Sequence, residues 1–153
     1  MCVNYRDLNK GSRKDNFLLL NIHILLDNTA GHEIESFGDC FVGYHQILMV
    51  KKDRENIAFI TPWETFCYRV MPFRLKNVGT TYQRTMTTLF NDIIHKEMEF
   101  YVQDIIIKFK KFEDHLVALK KLFERLRRYN LKLNPAKCTF GAPVGKIIGV
   151  YYQ

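Results

Sequence analysis

The chain has 153 residues, 47% of them hydrophobic, a length that fits one domain with its own core rather than two. Its 23 basic residues against 16 acidic ones give a net charge of +7, which favours a polyanionic partner such as nucleic acid. The four cysteines lack C-x-x-C spacing and no apolar run resembles a signal peptide or membrane span, so we expect no zinc site, no disulfide framework and no membrane contact in a cytoplasmic or nuclear protein.

The N-terminal part of the chain mixes weak strand patterns with one apolar helix pattern. Residues 2–5 predict a strand before a basic, turn-rich stretch, and residues 21–29 predict a packed helix. Residues 33–39 alternate in polarity and predict a strand that ends in the carboxylate of Asp39, followed by Gly43 and Tyr44. An aspartate at a strand end is either a cap for the next turn or a candidate ligand.

The middle of the chain predicts a hairpin and then a helix. Residues 56–60 and 66–70 flank the sequence TPWET, which indicates a hairpin with Trp63 near its exposed tip. Apolar residues then recur at helical spacing between Tyr82 and Ile94. This spacing predicts one long amphipathic helix.

Residues 97–110, EMEFYVQDIIIKFK, predict two short strands joined by a tight turn at Val102 and Gln103. The first arm alternates as a half-buried strand does, and the second is continuously apolar at 105–107. The turn holds Gln103 and Asp104 at a bend from which a carboxylate can face a cleft. An ordinary solvated turn is the alternative interpretation.

The C-terminal part predicts a helix over residues 112–126, with acidic residues in its first turn and basic residues in its last. Asn130 is predicted to end this helix, and short strands are predicted at 131–133, 139–140 and 147–151. Helices and strands interleave without strict βαβ alternation. We therefore predict an α+β fold, with a mainly antiparallel sheet packed on two long helices.

Nine segments, distributed over essentially the whole chain, carry a resemblance to a known family. They are VNYRDLNK, DNTAGH, FGDCFVGYHQI, FITPWETFCYRVMPFRLKN, TYQRTMTTLF, YVQD, EDHLVALKKLFERLR, LNPAKCTFG and KIIG. In these segments the chain resembles the reverse transcriptase of gypsy-type long-terminal-repeat retrotransposons, part of a retrovirus-related Pol polyprotein. The resemblance implies a right-hand polymerase palm with a partial fingers hairpin, residues 1–153 being one domain fragment without thumb, connection or ribonuclease H.

The resemblance also implies an activity, RNA-directed DNA polymerisation by two-metal nucleotidyl transfer. Its expected partners are an RNA template, a DNA primer, deoxynucleoside triphosphates and any remaining Pol polyprotein domains. In the family a strand-end aspartate, here Asp39, and a Tyr-x-Asp-Asp hairpin, here Tyr101 to Asp104, hold two Mg²⁺ ions. Other positions implied by the resemblance are Tyr44, Phe73 and Arg74 at the nucleotide, Arg6 and Tyr101 at the template or primer, and Ile148 and Gly149 at the primer grip.

The catalytic set departs from the family at Gln103, which stands where the family has aspartate. Of the three carboxylates that the resemblance implies, only Asp39 and Asp104 therefore remain. The amide of Gln103 lacks the negative charge that helps to offset two divalent ions. Losing one preorganised electrostatic group costs on the order of 10² to 10³ in rate, so we predict weak or absent Mg²⁺ binding and no activity for the isolated chain. Arg74 and Val42 also differ, replacing a family glycine and a family serine.

Two other interpretations stay open. The palm's split βαβ sheet resembles RNA-binding folds and the chain is cationic, which suits a non-catalytic nucleic-acid-binding module. The substitutions also suit a non-functional retrotransposon relict, decayed in a silenced genomic copy.

Overall fold

The structure, a computed structural model, describes residues 3–18, 24, 27, 28, 32, 34–109 and 111–143. Its helices and strands are α1 (Arg6–Gly11), β1 (Ile34–Asp39), α2 (Lys51–Arg54), β2 (Phe59–Ile60), β3 (Thr65–Phe66), α3 (Val78–Leu89), β4 (Met98–Tyr101), β5 (Asp104–Phe109), α4 (Phe112–Arg128) and β6 (Thr139–Pro143). Short 3-10 helices cover Gly43–Gln46, Glu55–Ile57 and Pro135–Lys137. In this part of the chain no helix is long and apolar enough to cross a membrane.

The main sheet has the strand order β4-β5-β1-β6, and all its neighbouring strands pair antiparallel. Strands β2 and β3 form a separate two-stranded sheet. The prediction of an α+β fold with a mainly antiparallel sheet is confirmed. The register of β1 on β5 pairs Ser36 with Ile107 and Asp39 with Asp104, and this register decides which side chains share a face.

Helices α3 and α4 supply one side of the hydrophobic core. Helix α4 buries Ala118, Leu122 and Leu126, which recur every four residues and so form one apolar stripe. The stripe packs with buried residues of α3 and of the sheet, namely Tyr82, Met86, Phe100, Ile105 and Ile107. The predicted helix over 112–126 and the apolar second arm of the central hairpin are confirmed.

The first arm of that hairpin is not half-buried as its alternation predicts. In β4 both Met98 and Glu99 are buried, because Glu99 contacts further polar groups on the second face of the sheet. Lys108 Nζ lies 2.8 Å from Glu99 Oε1 and donates to the carbonyl oxygen of Asn28 at 2.8 Å. Asn28 is helical, as are Ile24 and Asp27, and the rest of the predicted helix 21–29 lies outside the described residues.

The prediction of one long helix between Tyr82 and Ile94 is wrong at both ends of the helix. Helix α3 begins at Val78 and ends at Leu89. Ile93 and Ile94 keep their helical spacing but are buried in a turn, where both backbone N–H groups donate to the Phe90 carbonyl oxygen. The chain then reverses through His95, which has a φ of 65°.

Three predicted strand regions also differ. Val3–Tyr5 has no regular structure, and the turn-rich stretch after it contains α1. The predicted strand 131–133 is reduced to one bridge between Cys40 and Leu133, whereas β6 continues to Pro143 because it pairs with the start of β1. The predicted strand 147–151 lies outside the described residues.

The predicted fingers hairpin is shorter than its sequence pattern. Its strands, β2 and β3, have two residues each, and Glu55–Ile57 forms a 3-10 helix instead of strand. Thr61 closes the turn by accepting and donating hydrogen bonds with Glu64. Trp63 at the tip is 85% exposed, as the sequence predicts.

Candidate functional site

The candidate site lies where β1 ends and β5 begins. Asp39 and Asp104 are direct cross-strand neighbours in the antiparallel ladder. Such neighbours point to the same face with Cβ atoms roughly 4.5–5.5 Å apart, so the two carboxylates converge. Tyr101 pairs with Asp104 from the other side and lies on the same edge of the sheet.

A cavity of about 390 Å³ opens at this edge. Its wall includes both aspartates, Tyr101, Gln103 and Lys137. Lys137 Nζ lies 3.4 Å from Asp39 Oδ2, and the Asp39 side chain is 18% exposed. The carboxylates are therefore accessible from solvent but only partly hydrated.

The hairpin tip has the turn that the sequence predicts. Val102 adopts a φ of 55°, in the left-handed region that a β-branched residue rarely occupies. The backbone carbonyl of Gln103 accepts a hydrogen bond from the Cys40 N–H at 2.9 Å. Its side-chain Oε1 accepts one from the Gly43 N–H, also at 2.9 Å. The amide oxygen of Gln103 therefore already has a partner.

The donor set fits one divalent cation better than two. Asp39 and Asp104 offer two carboxylates, the hard anionic ligands that Mg²⁺ prefers, whereas Gln103 offers no charge. Within the described residues, no three His, Cys, Asp or Glu side chains are grouped so that they could hold a metal ion. Burial raises the pKa of the Cys40 thiol, next to Asp39, to about 11, so Cys40 adds no negative charge to this edge at neutral pH in the metal-free chain.

Tyr44 lies beside this edge in the 3-10 helix Gly43–Gln46. Its ring packs edge-on against Phe73 and against Tyr82, with centroids 5.4 Å apart in each case. A Cβ on Gly43 would lie 3.0 Å from the hydroxyl of the buried Tyr82, so a larger residue here would require the Tyr82 ring or the loop to shift. Burial raises the pKa of the Tyr44 phenol and hydrogen bonding with Gln103 opposes it, so the phenol is neutral at pH 7.

Arg74 and Arg6 lie on segments that are hydrogen-bonded to each other. Asn9, in α1 with Arg6, donates from Nδ2 to the Arg74 carbonyl at 2.7 Å and accepts from the Lys76 N–H at 2.8 Å. Both arginines are exposed. Arg74 has a φ of 72°, in the left-handed region that glycine adopts without strain and that other residues rarely adopt. Phe73 is 43% exposed beside it.

Two residues of this region were not singled out from the sequence. Asn9 and Lys137 lie inside the quoted segments VNYRDLNK and LNPAKCTFG, and that position is their one sequence signal. Their partners, Arg74 and Asp39, are distant in the chain, so local patterns cannot indicate the contacts. Ile148 and Gly149 lie outside the described residues, and their placement at a primer grip stays a prediction.

The chain matches a known protein family over nearly its whole length. Residues 1–152 match the family described as "Reverse transcriptase (RNA-dependent DNA polymerase)". The chain belongs to the reverse transcriptase family. It is 32% identical over 140 residues to the retrovirus-related Pol polyprotein from transposon 412 of Drosophila melanogaster, a match that covers 92% of this chain and 11% of that polyprotein.

Further relatives come from fission yeast. The chain is 30% identical over 151 residues to the transposon Tf2-3 polyprotein of Schizosaccharomyces pombe, covering 99% of this chain. Because it spans 11% of that polyprotein too, the chain corresponds to a small part of each relative's length. Transposon Pol polyproteins carrying a reverse transcriptase domain are therefore its homologues.

Solved structures show the fold of this reverse transcriptase domain. The match to the foamy viral protease-reverse transcriptase in complex with dsDNA covers 93% of this chain and 29% of the viral chain, with a TM-score of 0.83 at 20% identity. The same viral protein in complex with an RNA/DNA hybrid matches 90% of the chain and 18% of its own, with a TM-score of 0.82 at 20% identity. The predicted polymerase palm is confirmed.

Proposed function

We propose that residues 1–153 form the palm and partial fingers of a gypsy-type retrotransposon reverse transcriptase, as one domain that contacts a template–primer duplex but does not catalyse nucleotidyl transfer by itself. The observation that carries this proposal is the carboxylate pair of Asp39 and Asp104, beside a Gln103 whose oxygen is bonded to Gly43. The family and its transposon relatives support the lineage.

The missing charge is the physical reason for the loss of catalysis. When bound, divalent cations supply activation of the primer 3′-hydroxyl and neutralisation of the nucleotide phosphates. Asp39 and Asp104 would hold one such cation, and their two formal negative charges balance one divalent ion but not a pair. Tyr44 would form the floor beneath the incoming sugar, where its bulk rejects a ribose 2′-hydroxyl.

The net charge of the chain and the complexes formed by its structural relatives support the proposal that it binds nucleic acid. The chain has a net charge of +7, and Arg6, Arg13 and Lys14 are exposed near its N-terminus. The foamy viral protein is known in complex with an RNA/DNA hybrid and with double-stranded DNA. We propose that this chain contacts an RNA template and a DNA primer, with deoxynucleoside triphosphates and other Pol domains as further partners, in the cytoplasm or nucleus.

Primer extension tests the catalytic half of the proposal. A labelled DNA primer on an RNA template is incubated with the chain, the four deoxynucleoside triphosphates and either Mg²⁺ or Mn²⁺. We expect no extended product. Magnesium-dependent product that disappears in Asp39→Ala would overturn the proposed inactivity.

Fluorescence anisotropy tests the binding half against the alternative of a general basic module. Equal lengths of RNA/DNA hybrid and single-stranded DNA are compared at one salt concentration. A palm with partial fingers should prefer the duplex, whereas a basic surface without a polymerase cleft should bind both alike. Equal affinities would therefore favour the non-catalytic module.

A further inference from the structure

The ammonium group of Lys137 lies beside the proposed metal ligands in the metal-free chain. Its Nζ lies 3.4 Å from Asp39 Oδ2, and both residues line the 390 Å³ cavity together with Asp104. The lysine side chain is 68% exposed, so it can leave this position without unfolding the region. No other ion pair of Asp39 is observed among the described residues.

The backbone around Lys137 fixes it at the end of β1. The Asn134 N–H donates to the Asp39 carbonyl at 2.8 Å, and the 3-10 helix Pro135–Lys137 follows directly. Proline at the first position of that helix fixes φ. Thr139 then pairs with Phe37 in the sheet. The lysine is thus tied on both sides to the strand that ends in Asp39.

The carboxylate pair gives this lysine a role. Like charges directly opposite each other in an antiparallel pair destabilise the sheet. With Asp39 and Asp104 ionised, Lys137 reduces the local formal charge from −2 to −1. A divalent cation would be attracted to the same Asp39 oxygen and repelled by the ammonium group, so the lysine and the cation compete for it.

We propose that Lys137 is an internal counter-ion that stabilises the carboxylate pair without metal and must be displaced from Asp39 when a divalent cation binds. This inference rests on the proposed metal site. This coupling is reciprocal. A bound divalent cation weakens the contact between Lys137 and Asp39, and that contact weakens the binding of the cation by the same free energy. Lys137 therefore lowers the affinity of the site for divalent cations further, in addition to the loss of affinity caused by the uncharged Gln103.

The test compares Lys137→Met with Lys120→Met by calorimetric titration with MnCl₂. Lys120 is an exposed residue of α4 and its replacement changes the net charge equally. Removing the counter-ion should tighten Mn²⁺ binding about two- to fivefold, the range expected for a mostly exposed ion pair. Lys120→Met should bind as the original chain does, and Lys137→Arg should keep the weak affinity.

A second measurement separates this inference from the proposed site itself. Without metal, Lys137→Met should unfold at a lower temperature than Lys120→Met, and the difference should vanish when both carry Asp39→Asn. Measurable but equal Mn²⁺ affinities in the original chain and Lys137→Met would overturn the competition and leave the metal site standing. If Mn²⁺ binds to none of the original chain, Lys137→Met and Gln103→Asp, both the competition and the proposed metal site are overturned.

Discussion

The amide oxygen of Gln103 accepts a hydrogen bond of 2.9 Å from the backbone N–H of Gly43, joining the hairpin tip to the 3-10 helix that carries Tyr44. Gln103 thus has a structural partner of its own. An aspartate at 103 has a side chain one methylene shorter than glutamine, and it would add a third negative charge beside Asp39 and Asp104. Stability and metal binding should therefore change together.

Gln103→Asp should tighten Mn²⁺ binding and lower the metal-free melting temperature. The third carboxylate adds Coulombic attraction and a hard ligand, and without metal it adds repulsion. Calorimetric titration and thermal unfolding of both forms measure the two effects. Gln103→Asn is the matched neutral control. Equal affinities, or a gain that survives in Asp39→Ala/Gln103→Asp, would mean that the hairpin and the strand end do not form one site.

The ion pair between Lys108 and Glu99 should matter far more than exposed pairs. The two side chains are 4% and 1% exposed and their charged atoms lie 2.8 Å apart. Lys108→Met removes this ammonium group and leaves the buried Glu99 carboxylate with only Asn28 Nδ2 and the His95 ring as polar partners among the described residues. We expect a loss of about 3–5 kcal/mol in the free energy of unfolding. Lys121→Met, which removes the exposed pair with Glu97, should cost under about 1 kcal/mol. Urea titration measures both, and similar losses would contradict this expectation.

His115 should make stability fall in mild acid. It is 1% exposed, and its Nε2 lies 2.7 Å from Ser36 Oγ. Its buried Nδ1 has no hydrogen-bond partner among the described residues, and burial lowers its pKa below the usual 6.5. A lowered folded-state pKa gives stability that is present above pH 6.5 and is lost as pH falls through the folded-state value. Burial raises the pKa of Glu35, which acts in the opposite direction.

The measurement that isolates His115 is the difference in unfolding free energy between the original chain and His115→Gln at pH 7.5, 6.5 and 5.5. The Glu35 contribution is common to both forms and cancels in the difference. The advantage of the original chain should shrink as the pH falls. A difference that stays constant over this range would show that the imidazole is not held neutral in the folded state.

Arg74→Gly should stabilise the fold relative to Arg74→Ala. Both changes remove the exposed side chain, but alanine keeps the Cβ that is strained at a φ of 72°. The glycine form should be more stable by about 1 kcal/mol, the cost of left-handed backbone for an L-residue. Chemical denaturation compares the two variants. An alanine form as stable as the glycine form would rule out strain at this position.

Nucleic-acid affinity should be weak, without sequence preference and steeply dependent on salt. A net charge of +7 favours phosphate contacts, which release counterions. Anisotropy with an RNA/DNA hybrid from low to physiological salt measures the slope. Arg6→Ala should reduce the slope by about one if it contacts a phosphate. An affinity that does not change with salt would contradict the electrostatic account.

The sequence by itself determined the elements whose burial pattern is local. The stripe of Ala118, Leu122 and Leu126, the apolar run at 105–107 and the turn at Val102 each depend on neighbouring residues, so their periodicity is sufficient. The same rule extended α3 too far, because Ile93 and Ile94 keep helical spacing although the chain reverses at His95.

Only the tertiary structure decided how the candidate site is assembled. The resemblance indicated that Asp39 and Asp104 converge, but their direct pairing follows from the register of β1 on β5. The hydrogen bond from the Gly43 N–H to Gln103 and the ion pair of Lys137 with Asp39 depend on how distant segments pack. Such contacts follow from strand register and chain path, which one segment's polarity pattern cannot encode.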